Sequence, residues 1–213
     1  MYRECPIVYT TSRFSTPHRI PLTIFERLKE GTRQLHLNAE QRMGLNVPMT
    51  LGRYRRLIAA LYGFYAPLEQ RLFAAEGLMQ VVPDIESRRK TPWLITDLTV
   101  LGHDAADLGG FPSCNLIPAT RDISRILGTL YVVEGATLGG GLIGPLINRQ
   151  LHITPSTGGR FFLNYGEKRV SMWQLFKNNV SDDLERPGSQ ETLLTAACDT
   201  FAAFDTWLSQ HYE

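Results

Sequence analysis

The sequence predicts an all-α, single-domain protein, and three observations carry that expectation. The chain is 213 residues long, the length of one domain. Its apolar residues recur at helical spacing over most of that length, and sustained two-residue alternation is absent. The composition is 43% hydrophobic, 10% aromatic and 20% charged, which suits one sizeable core and excludes a largely disordered chain.

The elements follow in order. Residues 1–20, MYRECPIVYTTSRFSTPHRI, form an irregular lead-in without the apolar run of a secretory signal, and the domain proper occupies 21–213. Thr23 with Glu26 makes a capping box ahead of Ile24, Leu28, Leu35, Ala39 and Met43, which share a helical stripe. Pro48 and Thr50 announce a second helix, bent at Pro67 and ended at Gly77. A shorter helix lies near 92–101 and a long one spans about 120–150. Ser171 with Gln174 caps a further helix, stopped by Pro187-Gly188. Ser189 starts the last, whose core stripe is Leu193, Leu194, Ala197, Phe201, Phe204 and Leu208. RFFLNY (160–165) is a candidate short strand.

Charge and cysteine content narrow the setting. Twenty-two basic residues against 21 acidic give a formal +1, so nothing directs the chain to nucleic acid or an anionic membrane. Three scattered cysteines make neither a disulfide framework nor a metal-binding pair, consistent with a reducing, cytoplasmic setting.

The most unusual segment is ILGTLYVVEGATLGGGLIGPLI (126–147), 22 residues with Glu134 as its one charge. A membrane span fits the length. Against it, Glu134 at mid-span costs about 2.5–3.5 kcal/mol, and no second span exists. Gly139, Gly141 and Gly144 spell a dinucleotide-loop pattern, but Pro145 follows and no strand–helix–strand unit surrounds it. The third reading is a helix made deliberately rich in glycine. Each interior glycine costs on the order of 1 kcal/mol relative to alanine, so five between 135 and 144 call for compensation. The pairs Gly135/Gly139 and Gly140/Gly144 clear two lanes, for close helix packing or for a flat apolar ligand.

Of five histidines, His18, His103, His152 and His211 fall in expected loops or tails, and His36 alone lies on the first helix. Glu40, four residues on, can reach the ring nitrogen that His36 does not use for a ligand, fixing its tautomer. Lys29 lies two turns back on the same face, placed for an anionic ligand edge. One histidine is too few for zinc but sufficient for haem, which needs an axial imidazole. A satisfied boundary histidine remains the plain alternative.

LKEGTRQLHLNAE (28–40), followed by LYVVEGATLGGG (130–141), resembles the haem oxygenases, the second motif being most similar to bacterial members. FFLNYG (161–166), Trp173 and TFAAFDTWL (200–208) extend the resemblance over about 22–210. It implies an all-helical bundle holding haem between a proximal and a glycine-rich distal helix. It also implies oxidative opening of haem to biliverdin, carbon monoxide and ferrous iron, with O2 and external electrons. By position, His36 corresponds to the axial ligand and Glu40 to its partner. Lys29 corresponds to a base at a haem propionate, and Thr32 and Ala39 to proximal positions against the macrocycle. Gly135, Gly139 and Gly140 correspond to the distal helix over the iron. Tyr131 stands one place from a propionate-contacting tyrosine of the animal enzymes, Lys177 is a near-match for a propionate base, and Phe201 and Phe204 are pocket walls or plain core. The animal enzymes carry an aspartate where Ala136 stands, so Thr137, backbone carbonyls or another helix must anchor any distal water network. A reductase or ferredoxin is the implied electron donor. Arg53, Arg55 and Arg56 read as a docking surface for it or as a solvated helix face. A bilin-binding phytochrome is one acceptor of the product, and iron harvest is another use. A non-catalytic haem carrier, or a helical enzyme acting on a different planar heterocycle, are the alternatives.

Overall fold

The computed structural model describes residues 22–184 and 188–212. The expected lead-in 1–20 and the expected stop at Pro187 lie outside the described residues. The described residues contain helices and no strands. In order they are α1 (Ile24–Met43), α2 (Leu51–Phe73), α3 (Leu78–Val81), α4 (Thr91–Val100), α5 (Ala105–Gly110), α6 (Ile123–Leu151), α7 (Arg160–Leu163), α8 (Arg169–Leu184) and α9 (Ser189–His211). Short 3₁₀ turns occupy Ile85–Arg88 and Gly166–Lys168.

The long helices begin where their caps lie. Thr23 and Glu26 form the reciprocal capping box of α1, with Thr23 N–H donating to Glu26 Oε2 at 2.8 Å. Gly44 ends that helix at φ 64°, a left-handed conformation that glycine adopts without strain. Thr50 caps α2 and Asp122 caps α6, each accepting the backbone N–H three residues on. Pro67 lies inside α2. That helix ends at Phe73 rather than at Gly77, whose positive φ instead precedes α3. Leu35 and Met43 are half-buried, so the α1 stripe that enters the core runs Ile24, Leu28, Thr32 and Ala39.

Three expectations need correction. Ser171 is inside α8, where its hydroxyl donates to the Lys168 carbonyl, and is not a cap. His211 is the last residue of α9 and not part of a tail, while His152 follows α6 at φ 55°, outside the helix as expected. RFFLNY is no strand. Arg160–Leu163 forms one helical turn because Asp97, from α4, accepts the backbone N–H of Arg160 (2.7 Å) and of Phe161 (2.8 Å). A carboxylate 63 residues away satisfies the amides that the turn's own flank leaves without a side-chain cap.

Helix α9 organises the bundle by packing against both α1 and α6, while α2 packs on α4, and α7 and α8 cover α6. Trp207 of α9 is buried and donates its indole N–H to the Ala60 carbonyl of α2 at 2.7 Å. By length and apolar content α6 is able to cross a membrane. In the bundle it is a core helix with Ile126, Leu130, Val133 and Ile147 buried.

Asp97 gives a pH-dependent test of this arrangement. Its side chain is fully buried, and that burial pushes its carboxyl up to about 6 from 3.8. Between those values the folded chain holds a proton that the unfolded chain has lost, so this group's contribution to stability falls as pH rises from about 4 to 6. Asp97→Asn removes the titration and turns an N–H₂ toward one of the two amides, at a cost of about 1–3 kcal/mol at neutral pH. Urea unfolding from pH 4 to 7 checks both points: the advantage of the native protein over the variant should shrink across that window.

Candidate functional site

Two glycine lanes on α6 do different jobs. A Cβ at Gly140 would stand 2.4 Å from the Phe162 carbonyl oxygen and 2.3 Å from Asn164 Nδ2, so this glycine permits the close approach of the α7 turn. Gly144, one turn on, faces the same carbonyl at 3.8 Å. In the other lane, a Cβ at Gly139 would meet only the flexible tip of Ile143 at 3.6 Å, and one at Gly135 the Trp173 ring at 3.9 Å. Packing and open space therefore account for adjacent lanes of one helix.

The open lane borders a cleft of about 870 Å³, part of it open to solvent. His36, Ala39, Glu40 and Met43 of α1 line one side, and Ala136, Thr137, Gly139 and Gly140 of α6 the other. Phe64 from α2, Phe161 from α7, and Phe201 and Phe204 from α9 close it with aromatic surface. The His36 ring stands edge-on to Phe201 with centroids 6.0 Å apart, and Phe204 packs edge-on to Phe64 at 5.0 Å.

His36 is half exposed, with its Nδ1 3.8 Å from Glu40 Oε1. That separation suits a bridging water better than a direct hydrogen bond. It orients Nδ1 toward the carboxylate and leaves Nε2 as the nitrogen available to a ligand. Among the described residues no three His, Cys, Asp or Glu side chains converge to hold a bare metal ion.

Of the expected site residues, His36, Ala39, Glu40, Gly139, Gly140, Phe201 and Phe204 meet at the cleft. Thr32, Tyr131, Gly135 and Lys177 lie beside it in a second group. Thr32 is buried and donates its hydroxyl to the Leu28 carbonyl at 2.7 Å. The Tyr131 ring lies 5.7 Å from Trp173 and 6.4 Å from Phe25, over which the Lys177 ammonium sits at 5.8 Å. Burial pushes the Tyr131 phenol up, while the Thr32 hydroxyl beside it counteracts. Lys29 is on α1, seven residues before His36, and does not line the cleft.

Sequence reasoning missed a buried polar cluster on the α6 side. Glu134 pairs with Arg88 Nη1 at 2.5 Å and with the Lys90 ammonium, and all three residues are almost wholly buried. Lys90 also donates to Tyr165 Oη at 2.9 Å and to the Arg88 carbonyl at 2.6 Å, while Arg88 Nη2 holds Asp84 at 2.7 Å. The buried Glu69 carboxylate accepts the backbone N–H groups of Lys90 and Thr91. Lys90, Trp93 and Asn164 reach the cleft wall. The signal was present in Glu134 itself, because one carboxylate in 22 otherwise uncharged residues requires a buried cation. Arg53, by contrast, donates to Tyr212 Oη at 3.0 Å, which takes it out of a free docking surface; Arg55 and Arg56 are exposed.

The two lanes predict opposite responses. Gly140→Ala forces backbone apart at the α7 contact and is expected to cost about 1–3 kcal/mol. Gly139→Ala has room and gains helix propensity, raising stability by up to about 1 kcal/mol, while narrowing the cleft. Thermal melts of the two variants give the comparison, and similar destabilisation by both would contradict the assignment.

An all-helical bundle with one histidine facing a glycine-rich helix across an apolar cleft defines the class, and sequence comparison agrees. The chain belongs to the heme oxygenase family, whose family model matches residues 22–210. Among curated proteins no relative matches. The fold is similar to a heme oxygenase from Neisseria meningitidis, solved with NO and CO bound (TM-score 0.75, 19% identity, 90% of this chain and 93% of that one). It is also similar to a heme oxygenase from Leptospira interrogans (TM-score 0.72, 15% identity, 89% and 100%). Heme oxygenase-1 from the cyanobacterium Synechocystis, solved in complex with heme, gives a TM-score of 0.70 at 15% identity, over 89% and 92%.

Proposed function

We propose that this protein binds haem in the cleft between α1 and α6 and opens it oxidatively to biliverdin, carbon monoxide and ferrous iron. The observation that carries the reading is His36, directed by Glu40 and facing the open Gly139 lane across an aromatic-walled cleft. Family membership supports haem breakdown as the general activity. The residues fit the group: a free imidazole nitrogen on one side, small residues on the other, apolar walls between.

Haem, when bound, supplies the iron that activates O2 and is itself the molecule that is cleaved. The chain's work is binding, orientation and exclusion. His36 Nε2 would hold the iron as a neutral ligand, without the electron push of a thiolate. Glu40 would keep the ring aligned, its carboxylate 3.8 Å from Nδ1. Ala136 and Gly139 would leave space for a small ligand against the helix backbone, and the Phe64, Phe161 and Phe204 rings would keep bulk water out. Lys29, Tyr131 and Lys177 are assigned to the carboxylate edge of the macrocycle, which would fix its rotation about the iron, and Thr32 to the proximal side. Electrons come from a reductase or ferredoxin, and a phytochrome is one candidate for the bilin product. The setting is the reducing cytoplasm.

The test is to add hemin, O2 and a reductant, and to follow the Soret band and the growth of a biliverdin absorption. Soret loss with biliverdin growth is the expected result. No haem binding overturns the reading, and binding without ring opening makes the protein a carrier.

A further inference from the structure

The ring-opening reading leaves the buried charge cluster behind α6 unused. Arg88, Lys90, Glu69 and Glu134 are each no more than 3% exposed. Removing such charges from water is costly, and apolar residues of similar size commonly pack at least as stably, so packing alone does not account for them. Of the cluster, Lys90 alone reaches the cleft wall; Glu69, Asp84, Arg88 and Glu134 do not. The neutral polar groups nearby are committed. The Thr137 hydroxyl donates to the Glu134 carbonyl at 2.6 Å, and Asn164 Nδ2 donates to the Thr137 carbonyl at 2.9 Å. The ammonium is thus the positive group that the cluster presents to the cleft.

We propose that Lys90 is a positioning residue that biases the glycine-rich side of the cleft toward small anionic or negatively polarised ligands of the iron, its ammonium held in place by Glu134, Tyr165 and the Arg88 carbonyl. The proposal rests on the haem reading above. A fixed charge in a dry, low-dielectric wall acts on a nearby ligand without having to reorganise. Burial pulls the Lys90 ammonium toward its neutral form, and the Glu134 carboxylate opposes that pull. Glu69 also favours the charged form, Arg88 disfavours it, and the Tyr165 phenol, itself pushed up by burial, stays neutral. Glu134 pairs with the ammonium but does not line the cleft, so of the cluster's charges the Lys90 ammonium is the one at the wall.

The experiment uses the full chain loaded with ferric haem and titrated with azide at pH 7, followed in the Soret band. Lys90→Gln and Lys90→Met should weaken azide about tenfold. Carbon monoxide, neutral and bound to the ferrous form, should change by less than about twofold, since a fixed charge acts weakly on it. Tyr165→Phe keeps the Lys90–Glu134 pair, removes the phenol's own hydrogen bond to Glu134 and frees one ammonium proton; that freed donor at the wall should tighten azide about threefold. Unchanged azide affinity in folded Lys90 variants overturns the proposal, as does parallel weakening of azide and carbon monoxide. If the Lys90 variants do not fold, Tyr165→Phe decides, and an affinity equal to wild type overturns it. A wild-type protein that takes up no haem is recognised by its flat hemin titration and removes the underlying reading together with the proposal.

Discussion

Protein carrying His36→Ala is expected to lose both the axial-imidazole spectrum of its ferric haem complex and its biliverdin formation. No other histidine lines the cleft among the described residues. His103 is beside Asp107 and Phe111, and His211 stacks on Trp207 with centroids 3.8 Å apart. Among the described residues, therefore, no second histidine stands ready to replace it. Loss of a partner that merely orients a metal-bound histidine costs roughly 10–100-fold in affinity or activity, and loss of the ligand itself should exceed that. Glu40→Gln should fall within it. Because His36 is half exposed, the alanine variant should melt within about 0.5 kcal/mol of wild type, as solvent-facing substitutions do. Added imidazole should restore part of the spectrum by entering the space vacated by the side chain. An unchanged spectrum with full turnover and no imidazole would sink the axial assignment.

Glu134→Leu carries the largest expected change in stability. It leaves Arg88 without its 2.5 Å partner and Lys90 without its counter-ion, inside a core where water cannot replace them. Breaking one side of a buried pair typically costs 3–5 kcal/mol, a large part of the roughly 5–15 kcal/mol that holds a domain together. Combining it with Arg88→Met and Lys90→Met should return much of the loss, since the penalty comes from orphaned charge and not from lost volume. Urea unfolding of the single and triple variants gives the comparison. A single variant as stable as wild type would mean that water or an ion already serves these cations.

These two positions also mark what was legible in the sequence. Periodicity placed α1, α6 and α9 closely; the Thr23–Glu26 box acts within a few residues of itself, and Ser189 is the first residue of α9 as expected. The facing of His36 and Gly139 was implied by the resemblance to the haem oxygenases; helix registers alone left close packing of the glycine lanes as an alternative. The contacts that were illegible are long-range and polar. Nothing local in the sequence marks Arg88 and Lys90, yet both turn inward because a carboxylate 44 to 46 residues later sits buried beneath them. Arg160–Leu163 read as strand because its helical amides are satisfied by Asp97 in another helix. Local propensity contains neither partner. The division of labour between Gly139 and Gly140 was equally hidden, since only the position of the Phe162 carbonyl distinguishes them.

Helix α9 touches both flanks of the cleft at one level. Gly31 of α1 lies against Leu194, and Gly128 of α6 lies against the Leu193 carbonyl, where an added Cβ would stand only 2.3 Å away. Consecutive leucines thus pin the two walls at adjacent points, and each wall offers a glycine there. His36 lies about 7 Å farther along α1, and Gly139 about 16 Å farther along α6, at 1.5 Å per residue. The arrangement works as a clothes-peg, with its spring at residues 193 and 194 and its jaws at the histidine and the glycine lane. A methyl group added at Gly128 would press on the Leu193 carbonyl and shift that wall, so the spacing of the two walls depends on residues that do not line the cleft.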